Sequence, residues 1–252
     1  MAVLVGCCGF ALPQRRYVRE FPLVEVQQTF YHPPRLATAQ RWRQQAGASF
    51  VFTLKAWQLI THPASSPTYR RLRQPLGEKQ RFRVGFFQNT DEVWQAWETT
   101  RQIATVLRAA VVVFQCPASF TPTATHQRHL RRFFQRVRET GMPAGDPLPL
   151  LGWEPRGHWP RDVVAAICQE LDLVHVVDPF QGLPVRPGVF YFRLHGIGGY
   201  RHVYRDAELD QLAAWLAACG GEGYCLFNNA TMRDDARRLL ARLRRAEPPS
   251  AR

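Results

Sequence analysis

The chain lacks most of the features that assign a class at first sight. No uninterrupted apolar run approaches the length of a membrane helix, so a spanning helix is excluded and no membrane partner is expected. The N-terminus enters Val3-Leu4-Val5 directly, without the basic start, longer apolar stretch and small-residue cleavage site of a secretory signal; a cytoplasmic location is expected. The six cysteines, at 7, 8, 116, 168, 219 and 225, include no C-x-x-C pair, which leaves reduced, structural thiols as the default. Cys7 and Cys8 are adjacent on a strand and point to opposite faces, so a shared metal or redox role needs special geometry. Lysine is nearly missing: Lys55 and Lys79 are the only two, and arginine carries the net charge of +13. The densest arginine groups, Arg70-Arg71-Leu72-Arg73 and Arg237-Arg238 with Arg242 and Arg244-Arg245, read as exposed helix faces. A basic surface of any origin still attracts polyanions, so nucleic acid stays open as a partner. No repeat or low-complexity tract is present.

What is present is a regular alternation. At 252 residues, with 46% hydrophobic and 21% charged residues, the chain can bury a sizeable core. Strand-like runs fall near 3–7, 23–27, 50–56, 111–116, 148–154, 173–178, 189–195 and 223–228. Helix-like segments lie near 36–46, 90–109, 125–140, 160–170, 206–218 and 231–245. Val93, Trp97, Ala104 and Leu107 show the helical period, as do Leu209, Leu212, Trp215 and Leu216. Helix starts are marked by Thr90-Asp91, by Pro160-Arg161-Asp162, and by Thr231 ahead of Asp234 and Asp235. Strands alternating with helices mean a parallel sheet. An open doubly wound sheet would usually carry G-x-G-x-x-G after its first strand, and Gly6-Cys7-Cys8-Gly9-Phe10 lacks that spacing. Eight repeats therefore favour one α/β domain over 1–246, a closed (β/α)8 TIM barrel, with 247–252 as a disordered tail. It is somewhat irregular. A long excursion over 58–89 separates strands 3 and 4, and Pro179–Gly188 is too short for a full crossover helix.

Most of the runs finish on a polar residue. Val51-Thr53-Lys55, Val111-Val113-Gln115, Val174-Val176-Asp178 and Val189-Tyr191-Arg193-His195 put small or branched side chains and a polar end on one face. Phe52 and Leu54, Val112 and Phe114, or Phe190, Phe192 and Leu194 form the opposite face, as packing against helices requires. Leu23-Glu25-Gln27, Leu150-Gly152-Glu154-Arg156 and Tyr224-Leu226-Asn228 follow, and Val3-Val5-Cys7 ends in a thiol. In a barrel these ends converge at one mouth, which is where such folds place their active sites. Lys55 stands out, since a lysine at an apolar strand end either pairs with a carboxylate or has a lowered pKa. Glu25 and Glu154 offer the two carboxylates needed to divide acid and base roles. Lys55, Glu25, Glu154 and His195 are the catalytic candidates. Gln115, Arg156, Asp178, Arg193, Tyr200, Asn228, Thr61, His62 and Trp159 are the candidates for substrate binding. His195-Gly196-Ile197-Gly198-Gly199-Tyr200-Arg201 offers a flexible, basic loop suited to phosphate, and Phe30, Tyr31, Trp57, Trp159 and Tyr200 are aromatics for the mouth. Glu25, Glu154, Asp178, His62 and His195 admit a divalent metal, but the surrounding Lys55, Arg156 and Arg193 argue for an anionic ligand, so no cofactor is predicted.

Taken in order, several segments resemble the YecE-like family, domain of unknown function family 72. They are Gly6–Phe10, Val24–Tyr31, Lys55-Ala56 with Ile60-Thr61-His62, Gln115–Phe120, Trp153–Trp159, Arg193–Gly196 with Tyr200, and Phe227-Asn228-Asn229. The first turn departs from the family with two cysteines where Thr-Ser is frequent, and Gln27 and Pro155 stand where Asn and Phe are common. The resemblance implies a TIM barrel with a polar pocket at its mouth and implies no established reaction. Two functions follow as expectations. The first is an enzyme acting by acid/base chemistry on a small anionic metabolite, phosphorylated or carboxylated. The second is a protein that binds nucleic acid, or processes it with a metal, through its arginine-rich surface.

Overall fold

A computed structural model describes residues 3–246; the expected tail at 247–252 lies outside the described residues. The strands are β1 (Val3–Cys8), β2 (Leu23–Val26), β3 (Val51–Lys55), β4 (Val111–Gln115), β5 (Leu150–Glu154), β6 (Val174–Val177), β7 (Phe190–Leu194) and β8 (Gly223–Phe227). They close in that order into one parallel barrel, β8 pairing back onto β1. The long helices are α3 (Leu36–Ala46), α6 (Asp91–Leu107), α7 (Ala124–Thr140), α8 (Arg161–Glu170), α9 (Asp206–Ala218) and α10 (Met232–Ala246). Thr90 and Thr123 start α6 and α7 by accepting the Val93 and His126 amides on their hydroxyls. Shorter helices that the periodicity does not signal are α1 (Gln14–Glu20), α2 (Gln28–Tyr31), α4 (Gln58–Thr61) and α5 (Glu78–Arg81). One or two turns bury too few residues to show a period. Among the described residues, no helix is long and apolar enough to cross a membrane.

The two faces of each strand build two apolar layers. Phe52, Leu54, Phe114, Trp153, Phe192 and Phe227 face outward into the layer between barrel and helices. Leu23, Val111, Val113, Val174, Val176, Tyr191 and Leu226 fill the barrel interior. That interior is tight: a Cβ on Gly152 would lie 2.8 Å from Cγ2 of Val176. One strand is out of phase with the sequence reading. The thiol inside the barrel is Cys8, whereas Cys7 packs outward and its Sγ lies 3.5 Å from the Met232 carbonyl. Both alternates of β1 are apolar, so composition alone sets no phase; barrel closure does.

The connections decide what reaches the mouth. After β3 the chain passes through α4, a 3-10 turn at Pro67–Arg71 and α5 before entering α6. The backbone amides of Gly85, Phe86 and Phe87 donate to the carbonyls of Leu59, Thr61 and Ile60 at 2.7, 3.2 and 2.9 Å. Those bonds pin the segment onto α4, beside the carboxyl ends of the strands. The link from β6 to β7 carries no helix among the described residues, as its Pro and Gly content leads one to expect.

Candidate active site

Strands β2, β5 and β7 place Glu25, Glu154 and Arg193 side by side at the upper end of the barrel, all of them buried. Arg193 is the centre. One of its terminal nitrogens donates to Glu25 Oε1 at 3.0 Å, and the other donates to Gln115 Oε1 at 2.9 Å and to Glu154 Oε2. The remaining carboxylate oxygens are also engaged. Glu25 Oε2 accepts the Tyr191 hydroxyl at 2.8 Å, and that hydroxyl lies 2.7 Å from Thr53 Oγ1. Gln27 donates its amide to Glu25 Oε1. Glu154 Oε1 takes Arg156 at 3.1 Å and His195 Nε2 at 3.0 Å. Burial by itself would raise the Glu154 carboxyl, but the charge of Arg193, followed by the hydrogen bond and charge of His195, holds it well below the usual carboxylate range. The Glu25 and Glu154 carboxylates and their cations thus neutralise one another, which is what permits so many charges in a dry place.

Lys55 lies beside this network without joining it. All four oxygens of Glu25 and Glu154 have donors, and among the described residues no carboxylate stands within ion-pair distance of the lysine. Its Nζ instead sits over the face of Phe30, 3.5 Å from the ring centroid. Burial, and next the charge of Arg193, push the amine down to about 7 against the pull of Glu154 and Glu25. His62 packs edge-on against the same Phe30 ring, and burial pushes its imidazole down to about 3, so the ring stays neutral. Thr61 Oγ1 lies 2.8 Å from His62 Nδ1 and fixes its orientation.

Above these groups opens a cavity of about 470 Å³ lined by Gln27, Phe30, Tyr31, Lys55, His62, Thr68, Arg71, Gln115, Arg156, His195, Tyr200 and Asn228. Seven of the candidate site residues expected from sequence therefore meet here: Lys55, His62, Gln115, Arg156, His195, Tyr200 and Asn228. Asn228 Nδ2 stands 3.2 Å from His195 Nδ1, so the imidazole is held from both ends. Gly196, at φ 89, turns the chain directly after it, and a Cβ there would come within 2.3 Å of the Gly199 carbonyl oxygen.

Other expected residues are placed elsewhere. Arg193 was expected to touch a ligand, yet it is 0% exposed and its two terminal nitrogens are taken up by Glu25, Glu154 and Gln115, so it lies under the cavity floor. Glu25 shares that position. Asp178 accepts the backbone amides of His195 and Phe180 at 2.9 and 3.1 Å, which makes it a brace for the β7 end. Thr61 acts through His62. Trp159 does not line the cavity: its ring packs on Trp153 and Phe120, and its Nε1 donates to the Phe120 carbonyl at 2.6 Å. Trp57 lines a different groove, of about 500 Å³, between the β3–α6 segment and α6. Arg71 is exposed, as its sequence setting leads one to expect, and its guanidinium also lies 4.7 Å from the Tyr31 centroid at the cavity edge. Like it, Gln27, Thr68, Tyr191 and Thr53 were not singled out as site residues. For Gln27, Thr53 and Tyr191 the signal was available, because each shares a strand face with a selected residue. Three of the six arginines of α10 are spent on ion pairs, Arg233 with Glu20, Arg238 with Asp206 and Asp235, and Arg242 with Asp206 and Asp210, while Arg237, Arg244 and Arg245 are exposed.

The donor set does not suit a metal. Among the described residues no group of three or more His, Cys, Asp and Glu side chains converges on one point. Glu25 and Glu154 are turned to Arg193, Asp178 to two backbone amides, and His62 to Thr61. What the arrangement offers is a weakly basic amine, an imidazole–carboxylate pair and two rim guanidiniums around a polar cavity.

Solved structures share this architecture. A DUF72 family protein from Enterococcus faecalis V583 is 16% identical and superposes with a TM-score of 0.74 over 98% of this chain and 97% of that one. A DUF72 family protein from Thermotoga maritima MSB8 is 18% identical, with a TM-score of 0.66 over 97% and 100%. A D-psicose 3-epimerase solved in the presence of D-fructose is 12% identical, with a TM-score of 0.57 over 96% and 98%. At such identities the likeness is one of fold. No functionally curated protein matches the chain. Residues 12–250 match the family model described as protein of unknown function DUF72, and the chain belongs to that family.

Proposed function

We propose that this protein is an enzyme that acts on a small anionic metabolite, carboxylated or phosphorylated, by acid/base chemistry at the carboxyl-terminal mouth of the barrel. One observation carries the reading: Lys55 reaches the cavity as an unpaired amine whose pKa is pushed down to about 7. A group poised near neutral pH is suited to accept and return a proton. An ordinary structural lysine would be paired or at the surface, and maintaining this one costs stability that a functional site can justify. In this reading Lys55 is the proton acceptor. The Glu154–His195 pair supplies the second proton-transfer group, with Asn228 holding the imidazole. Arg71 and Arg156 take the anion, while Gln27, Gln115 and Asn228 orient hydroxyl or carbonyl oxygens. Arg193 and Glu25 are positioning residues.

A thermal-shift screen with small carboxylates and phosphorylated sugars tests the binding half. Proton exchange in heavy water, followed by NMR at carbons next to a carbonyl, tests the chemistry. At least one of these anions should stabilise the protein and exchange. Lys55→Met should keep the ligand but slow exchange by ~10²–10⁴-fold, the usual contribution of a positioned base. The proposal is overturned if neither class of anion binds, or if Lys55→Met exchanges at the wild-type rate.

A further inference from the structure

Resting on the anionic-ligand reading above, the geometry points to a more specific substrate class. We propose that Lys55 is a nucleophile that condenses with the carbonyl carbon of an anionic aldehyde or ketone, a small oxo acid or a phosphorylated carbonyl compound, to form an imine. Three features carry this beyond proton transfer. First, the Lys55 amine has no hydrogen-bond acceptor among the described residues, because Arg193, Gln27, Tyr191, Arg156 and His195 occupy every oxygen of the two nearby carboxylates. A lone pair without a partner is available to carbon as well as to a proton. Second, Nζ stands 3.5 Å from the Phe30 centroid, and that ring face stabilises the positive charge that a protonated imine places on this nitrogen. An ammonium and a protonated imine carry the same charge at the same place. Third, His195, bonded to Glu154 at 3.0 Å and lining the same cavity, is positioned to deliver the protons that condensation requires. Burial and the charge of Arg193 support the step by favouring the neutral amine.

The step balances without an added oxidant or reductant. The Lys55 lone pair forms the C–N bond as the carbonyl π pair moves to oxygen, which takes a proton and gives the carbinolamine. The amine loses one proton, and a further proton from His195 lets the hydroxyl leave as water. The nitrogen lone pair then closes the protonated C=N bond. Amine, carbonyl and one proton give a protonated imine and water, and hydrolysis reverses it. Arg71 and Arg156 at the rim hold the anionic end of the compound.

The scarcity of lysine makes the test direct. The chain contains only Lys55 and Lys79, and Lys79 is exposed on α5, so it serves as an internal control. The full chain is incubated at neutral pH with glyoxylate, pyruvate or glyceraldehyde 3-phosphate in the presence of cyanoborohydride, which donates hydride to an imine carbon. Peptide mass spectrometry then locates the secondary amine. Lys55 should be modified at least about tenfold faster than Lys79 by one or more probes, with excess inorganic phosphate or acetate slowing only Lys55. Lys55→Arg should still bind anions in a thermal-shift assay and show labelling at Lys79 alone. Equal labelling of the two lysines, or labelling of Lys79 only, would overturn the imine. If Lys55 stays unlabelled while anions bind and proton exchange depends on it, the imine falls and the acid/base reading stands. If no anion of either class binds, the anionic-ligand reading fails as well.

Discussion

Replacing Arg193 by methionine isolates the interaction that organises the site. The guanidinium is 0% exposed and spans Glu25 Oε1 at 3.0 Å, Gln115 Oε1 at 2.9 Å and Glu154 Oε2. Methionine keeps much of the volume but leaves two carboxylates facing each other without their cation. Removing one partner of a buried ion pair costs ~3–5 kcal/mol, and here a single change strips both carboxylates. For a chain of this size each kcal/mol lowers Tm by about 2–4 °C, so a fall of roughly 6–20 °C is expected. The pH dependence is a sharper test. In the wild type Glu154 is held below its unfolded value, so its contribution is complete above the ordinary carboxylate range and is lost as pH falls through the folded pKa. In Arg193→Met burial is no longer opposed by Arg193, the Glu154 pKa rises, and the folded state takes up a proton before the unfolded state does. Stability of the variant should therefore increase as pH falls from about 8 towards about 5, and the deficit against wild type should shrink. Urea denaturation across that range measures it, and adding Glu154→Gln to the variant should recover part of the loss. A deficit below ~1 kcal/mol, or one that is constant with pH, would show that Arg193 does not hold the carboxylates as described.

Two further outcomes follow from the same geometry. Lys55→Met should stabilise the fold, because the lysine is charged at a cost below its folded pKa of about 7. Between that value and the unfolded one of about 10.4, unfolding takes up a proton, so wild-type stability climbs with pH and the advantage of methionine fades. The fall from 10.5 to about 7 caps the gain at ~5 kcal/mol, read by chemical denaturation near neutral pH, and a variant less stable than wild type there would refute it. Affinity for a random-sequence DNA duplex, followed by fluorescence anisotropy, should fall steeply with added salt and vanish at physiological salt, since half of the α10 arginines are neutralised by Asp206, Asp210, Asp235 and Glu20. Tight binding that survives physiological salt and is lost on neutralising Arg70, Arg71 and Arg73 would favour the nucleic-acid function instead.

Much of the architecture could be read from alternation. Phe52 and Leu54 against Thr53 and Lys55, or Phe190 and Phe192 against Tyr191 and Arg193, declare which side chains face helices and which face the barrel interior, because a pleated strand permits no other division. The fates of individual polar residues could not be read the same way. Arginine at a strand end can bind a ligand or a carboxylate, and Arg193 does the second only because closure brings β2 and β5 within hydrogen-bond reach of β7. Trp159 and Trp57 carry the same sequence signal as Phe30 and Tyr31, yet loop paths turn the former pair away from the cavity and the latter pair into it.

The sequence by itself determined the eight-fold strand count, the two faces of seven strands, and the set of polar residues gathered at one end, since local periodicity and chain order suffice for those. Tertiary structure alone decided that Cys8 rather than Cys7 points inward, that Arg71 comes back to the cavity edge, and that Lys55 is left without a counter-ion among the described residues. Each depends on distances between segments far apart in the chain. Such distances arise only when the ring closes and the charges compete for the same few oxygens.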